Sequence, residues 1–113
     1  MRTLEQLLSS HCRAVTGEAM NHAQVAAQLD VLDQWTVNDG ALSKAYRFKN
    51  YYETVAFVNA LAYVVHREDH HPDLHVGYNR CEVRFNTHSV NGISENDFIC
   101  AAKADAVYAH GRA

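Results

Sequence analysis

The stretch from residue 52 to about 68 constrains this chain more than any other. Phe57, Ala60, Leu61 and Val64 recur at i, i+3, i+4 and i+7, the repeat of one helix face. Val55, Val58, Ala62 and Val65 form a second apolar stripe. At 3.6 residues per turn the two stripes are centred roughly 120° apart. One sheet covers only one of them. The expectation is a long helix that packs on a sheet through the first stripe and on the same helix of a partner copy through the second. Left in water, the second stripe would be a contiguous apolar strip, which monomers usually avoid. Pro72 bounds the helix, because residues before proline favour extended geometry.

Alternating stretches lie on both sides of this helix. Residues 34–37 read as extended, Asn38-Asp39-Gly40 as a tight turn, and residues 41–48 as a strand with Leu42, Tyr46 and Phe48 on one face. Trp35 lies across that turn. A second hairpin follows the helix: Leu74, Val76 and Tyr78, a turn near Asn79-Arg80, then Cys81, Val83 and Phe85. Val25, Ala26, Leu29 and Leu32 place a first helix over residues 22–33. Ser94-x-x-Asp97 has the spacing of a capping box and opens a last helix from 95 to about 108. The order α-β-β-α-β-β-α defines an α+β domain, a four-stranded antiparallel sheet with three helices on one face. Residues 1–21 are weakly periodic and read as an N-terminal extension with one helical turn near Leu4 to Leu8. Residues 22–113 form the single domain.

The chain has 113 residues, 48% of them hydrophobic and 20% charged, which suits one soluble globular domain. A formal charge of −3 and the lack of a basic run argue against a nucleic-acid surface. Cys12, Cys81 and Cys100 form no CxxC pair, so no zinc ribbon or redox motif is expected, and free thiols fit a reducing, cytoplasmic setting. Neither a signal peptide nor a membrane span is expected.

Histidine is the abundant reactive type. There are 8, and His66, His70, His71 and His75 fall within ten positions. Imidazoles give and take protons near neutral pH, so paired histidines could serve one substrate as acid and base. His88 and Asp97, at the expected ends of the last strand and the start of the last helix, could reach the same rim as His70 and His71. Taken singly, an exposed histidine is more often solvated than catalytic, and Asp97 alone reads as a helix-terminus anion. His66 and His75 have no claim to a role. Zinc is disfavoured, because adjacent His70-His71 chelates poorly and no HxH or CxxC occurs. No spacing identifies a cysteine nucleophile with its base.

The string His70-His71-Pro72, Tyr78, Thr87-His88, Gly92, Ser94 and Asp97 resembles the signature of the pterin-4a-carbinolamine dehydratases. With Trp35, Leu42, Phe48 and Phe57, the resemblance extends over about residues 22 to 106. It implies the fold read above, assembly as a homodimer or homotetramer, and no metal or organic cofactor. The implied activity is loss of water from a 4a-hydroxytetrahydropterin to give a quinonoid dihydropterin, which recycles the cofactor of aromatic amino-acid hydroxylases. Carried over by position, His70, His71 and His88 match the family's active-site histidines. Asp69, Asn86, Thr87 and Ser89 match its pterin-contacting segments, and Asp97 its site aspartate. Two positions depart from the pattern: His66 stands where a glutamate is common, and Leu74 where an aromatic is often found. Some members of the family also act as dimerisation partners of a transcription factor, so a non-catalytic coactivator-like or assembly role is the alternative reading.

Overall fold

The computed structural model describes residues 1–111. The elements run α1 (Leu4–Ser9), α2 (His22–Leu29), β1 (Thr36–Asn38), β2 (Ala41–Arg47), α3 (Tyr51–Glu68), β3 (Asp73–Val76), β4 (Arg80–Phe85), a 3-10 turn (His88–Val90) and α4 (Glu95–Gly111). The four strands form one antiparallel sheet in the order β1-β2-β4-β3. The α+β reading therefore holds, with one helix more than the three expected.

Local chemistry explains most boundaries. Asp39 and Gly40 both take positive φ, 54° and 79°, between the paired residues Asn38 and Ala41. Two left-handed residues in succession make the hairpin turn that follows the natural strand twist. Leu42 then faces Phe85 across the ladder, Lys44 faces Val83, and Tyr46 faces Cys81. Leu42, Tyr46, Cys81, Val83 and Phe85 are all buried, whereas the alternate positions Ala45, Arg47, Arg80, Glu82 and Arg84 keep access to solvent. One face of the sheet thus carries the core. Burial in that apolar setting pushes the Cys81 thiol up to about 11, so it packs as an inert thiol.

Two sequence expectations need correction. Helix α2 ends at Leu29 and not near Asp33. Asp30, Val31 and Leu32 donate their N–H groups three residues back, at 3.0–3.3 Å, which tightens the chain into turns. Gln34 then takes φ 65°, and Trp35 enters the core. On α3 the buried face is Thr54, Phe57, Leu61, Val65 and Glu68, a mixture of the two stripes. Val58 packs against the core and Ala62 is exposed, so the second stripe is not one continuous outer strip. The helical turn expected near Leu4 to Leu8 is observed as α1, and it packs on the core. A complete capping box, Thr3 with Gln6, opens α1, and Leu7 is fully buried in the core.

Helix α4 buries Phe98, Ile99, Cys100, Ala101, Ala102 and Ala104, because the sheet, α3 and α1 all contact it. Further along, the Asp105 carboxylate accepts from Trp35 Nε1 at 3.1 Å, Lys44 Nζ at 2.8 Å and the Tyr46 hydroxyl. Burial, reinforced by that carboxylate, pushes the Tyr46 phenol far above its ordinary range, so it remains a donor.

Candidate active site

Three chain segments meet at one end of the sheet. The first is the end of α3. Asp69 sits in the left-handed region (φ 53°, ψ 42°) and donates its N–H to His66 O at 3.1 Å, while His70 N–H reaches Val65 O at 3.2 Å. This pair of bonds closes the last turn and redirects the chain, so that His70 and His71 leave the helix axis. The second is the loop after β4, which carries Asn86, Thr87, His88 and Ser89. It is closed by Thr87 N–H to Gly92 O at 2.7 Å. The third is the start of α4. The Asp97 carboxylate accepts from Ser94 N–H at 2.8 Å, the half of the capping box that its spacing led one to expect, whereas Ser94 Oγ accepts at 3.2 Å from Asn96 N–H and not from that of Asp97.

Asp97 has no solvent exposure. Its Oδ1 lies 2.6 Å from His70 Nε2, and its Oδ2 accepts from both Thr87 Oγ1 and Ser94 N–H at 2.8 Å. Since the single Thr87 hydroxyl proton goes to Asp97, the 2.7 Å contact between Thr87 Oγ1 and Ser94 Oγ is donated by Ser94. The buried charge is therefore met by three donors, as a buried carboxylate requires. The His70 ring also stacks on Phe85, with 6.1 Å between centroids and 10° between planes. Nε2 and the ring orientation are thus fixed, and Nδ1 is the remaining ring nitrogen.

His71 and His88 are exposed, and their rings meet edge to face at 6.1 Å. A cavity of ≈ 400 Å³ is lined by Asp69, His70, His71, Asn86, Thr87, His88 and Ser89 together with Glu68, Asn96 and residues 12–15. Every site residue expected from the sequence except Asp97 lines this cavity. Asp97 stands behind His70 and reaches the cavity through it. Two others are engaged elsewhere: the Thr87 hydroxyl serves Asp97, and the Ser89 hydroxyl donates to Val15 O at 2.8 Å. His66 and His75 are exposed and do not line it. A larger cavity of ≈ 650 Å³ opens beside the N-terminal half of α3, over Phe48, Phe57 and Tyr108, and contains none of the histidines.

The sequence reading missed Glu68, Asn96 and the segment around Cys12. Glu68 is nearly buried. It accepts from Cys12 N–H at 2.7 Å and contacts His11 Nδ1 at 2.9 Å and Lys103 Nζ at 3.5 Å. Burial alone would raise its carboxyl, but the Cys12 N–H, His11 and Lys103 outweigh that and hold it below the ordinary value of 4.5. Among the described residues no cluster of three or more His, Cys, Asp or Glu side chains is arranged to hold a metal ion.

The arrangement defines a class: a small α+β protein with an aspartate-anchored histidine and two further histidines around one cavity. Residues 18–107 match the family model described as pterin 4 alpha carbinolamine dehydratase, and the chain belongs to that family. A provisionally named pterin-4-alpha-carbinolamine dehydratase of Bdellovibrio bacteriovorus is 57% identical over 94 residues, covering 80% of this chain and 78% of the relative. One from Stenotrophomonas maltophilia, under the same provisional name, is 50% identical over 111 residues, with 95% and 96% coverage. A crystal structure from Brucella melitensis, described as a transcriptional coactivator/pterin dehydratase, superposes with a TM-score of 0.77 at 30% identity. It covers 80% of this chain and 99% of that one.

Proposed function

We propose that this protein dehydrates a 4a-hydroxytetrahydropterin to the quinonoid dihydropterin by histidine acid–base catalysis. The observation that carries this reading is the His70–Asp97 pair, 2.6 Å apart, opening on the same cavity as His71 and His88. The reaction breaks the C4a–O bond, and a proton must reach the departing hydroxyl so that it leaves as water. N5 must lose its proton as the C4a=N5 bond forms. Two proton-transfer groups on one bound ring satisfy both demands. His70 is suited to take the N5 proton, since the Asp97 carboxylate holds its ring and compensates the positive charge it acquires. His88, exposed at the other wall, is suited to protonate the leaving hydroxyl, and His71 completes the set. Asp69 and Asn86 supply polar contacts for the pterin. No metal or organic cofactor enters this scheme.

The substrate would come from an aromatic amino-acid hydroxylase, to which the product returns after reduction. Assembly as a homodimer or homotetramer is part of the same reading. It is supported by the outer face of α3, where Tyr52 and Tyr63 are 82% and 66% exposed. The deciding experiment is a dehydration assay on freshly generated 4a-hydroxytetrahydrobiopterin. A rate no higher than the uncatalysed one would remove the proposal.

A further inference from the structure

We infer that residues 12–15 form a substrate-contacting wall of the pterin pocket, so that this chain completes its site with a segment lying ahead of the family-matched region. The inference rests on the pterin reading of the cavity given above.

Between α1 and α2 the chain has no helix or strand. Backbone without a ladder needs other partners, and here side chains of the site provide them. Glu68 accepts from the Cys12 N–H at 2.7 Å. The Asn96 carboxamide clamps Arg13 from both sides, accepting from its N–H at 3.2 Å and donating to its carbonyl at 2.7 Å. The Ser89 hydroxyl donates to Val15 O at 2.8 Å. Beyond the cavity, Met20 N–H reaches Ile93 O at 2.9 Å, and Ala19 Cβ lies only 2.7 Å from where a Cβ on Gly92 would stand.

The burial of these partners shows that the segment is seated. Glu68 and Asn96 are 8% and 6% exposed. Removing the segment would strip both Asn96 hydrogen bonds and the Cys12 N–H from Glu68, and folded proteins avoid such unpaired polar groups. The Cys12 sulfur also rests 3.5 Å from the Cys100 sulfur on α4. The docked segment then shares one cavity with His70, His71 and His88. It presents Ala14 and the exposed side chain of Arg13, whose guanidinium is 3.7 Å from Glu95. None of these groups moves a proton near pH 7. The wall therefore contributes to holding the pterin and leaves the chemical step to the histidines.

The test is a pair of substitutions in the full chain. Ala14 is exposed and lines the cavity, and Thr16 is exposed and does not. Ala14→Trp fills the cavity from the wall without entering the core, whereas Thr16→Trp adds the same bulk outside it. The expected result is a rise of about tenfold or more in the KM for 4a-hydroxytetrahydrobiopterin and in the Kd for 7,8-dihydrobiopterin with Ala14→Trp. The kcat and the thermal unfolding midpoint should stay near those of the wild type, and Thr16→Trp should behave like the wild type throughout. An Ala14→Trp variant that binds and turns over pterin as the wild type does would overturn the wall and leave the function standing. A wild type that binds dihydrobiopterin without dehydrating, and loses that binding in Ala14→Trp, would keep the wall and overturn the function. A wild type that binds no pterin would sink both.

Discussion

His70 Nε2 and Asp97 Oδ1 lie 2.6 Å apart, with the carboxylate fully buried and the imidazole nearly so. The pair therefore has a structural consequence as well as a chemical one. Replacing His70 by Ala leaves a buried carboxylate with only Thr87 and the Ser94 N–H, and should cost about 1–3 kcal/mol of stability. It should also slow dehydration by about 10²-fold or more. His88→Ala should lose activity on the same scale while changing stability by less than about 0.5 kcal/mol, because His88 is exposed. His66→Ala and His75→Ala should do little to either. Urea unfolding and steady-state kinetics on the four variants check this, and equal small rate effects at all of them would remove the assignment.

Asp69 holds a left-handed backbone at the helix end, where glycine is the usual residue. Asp69→Gly should therefore gain about 1 kcal/mol of stability by relieving that conformation. If its carboxylate contacts the pterin, KM should rise in the same variant. A more stable protein with unchanged KM would leave Asp69 a helix terminator without a substrate role.

Glu68 links stability to acid pH. Its folded carboxyl titrates below 4.5. The stability it contributes is complete above the ordinary glutamate value and is lost as pH falls through the depressed one. Wild type should thus lose stability below about pH 4.5 more steeply than Glu68→Gln, which carries no titrating group there. Urea titrations between about pH 3 and 7 test the difference in slope. Parallel curves would show that Cys12, His11 and Lys103 contribute nothing through this carboxylate.

Metal should be dispensable. Protein treated with EDTA is expected to keep its dehydration rate, and elemental analysis should find no stoichiometric zinc. Loss of activity restored by zinc would displace the acid–base scheme.

The surface of α3 makes an assembly prediction that differs from the simple stripe reading. Val58 packs against the core, so Val58→Glu should destabilise the fold itself. Tyr63, exposed on the outer face, is the better probe. Tyr63→Glu should convert an oligomer to a smaller, folded species by light scattering. A wild type that is already monomeric at micromolar concentration would dispose of the idea.

What the sequence made legible was local. The Asp39-Gly40 turn, the alternation of Cys81, Val83 and Phe85, and the bond from Ser94 N–H to the Asp97 carboxylate each follow from residues within a few positions, and each is observed. The seating of residues 12–15 depends on Glu68 and Asn96, 56 and 83 positions away, and no periodicity announces such contacts. Both residues look like ordinary solvated helix positions in the sequence. Helix α3 misled for a related reason. Its apolar residues surround much of the cylinder, so spacing alone could not reveal that polar Thr54 and Glu68 belong to the buried face. At the other end of the chain, the turn expected near Leu4 to Leu8 is α1, and Thr3-x-x-Gln6 is the capping box that opens it.

Helix α4 carries two unrelated duties on one rigid rod. Its first turn supplies Asp97, and eight residues later, about 12 Å along the axis at 1.5 Å per residue, Asp105 ties together Trp35, Lys44 and Tyr46. A lineage that altered the Asp105 knot would loosen the seat of the same helix that carries the carboxylate behind His70. Drift in this part of the core is therefore coupled to catalytic fitness. Substitutions at Trp35, Lys44 or Tyr46 should be tolerated only with compensating changes among the other members of the knot, although none of them lines the cavity that holds His70, His71 and His88.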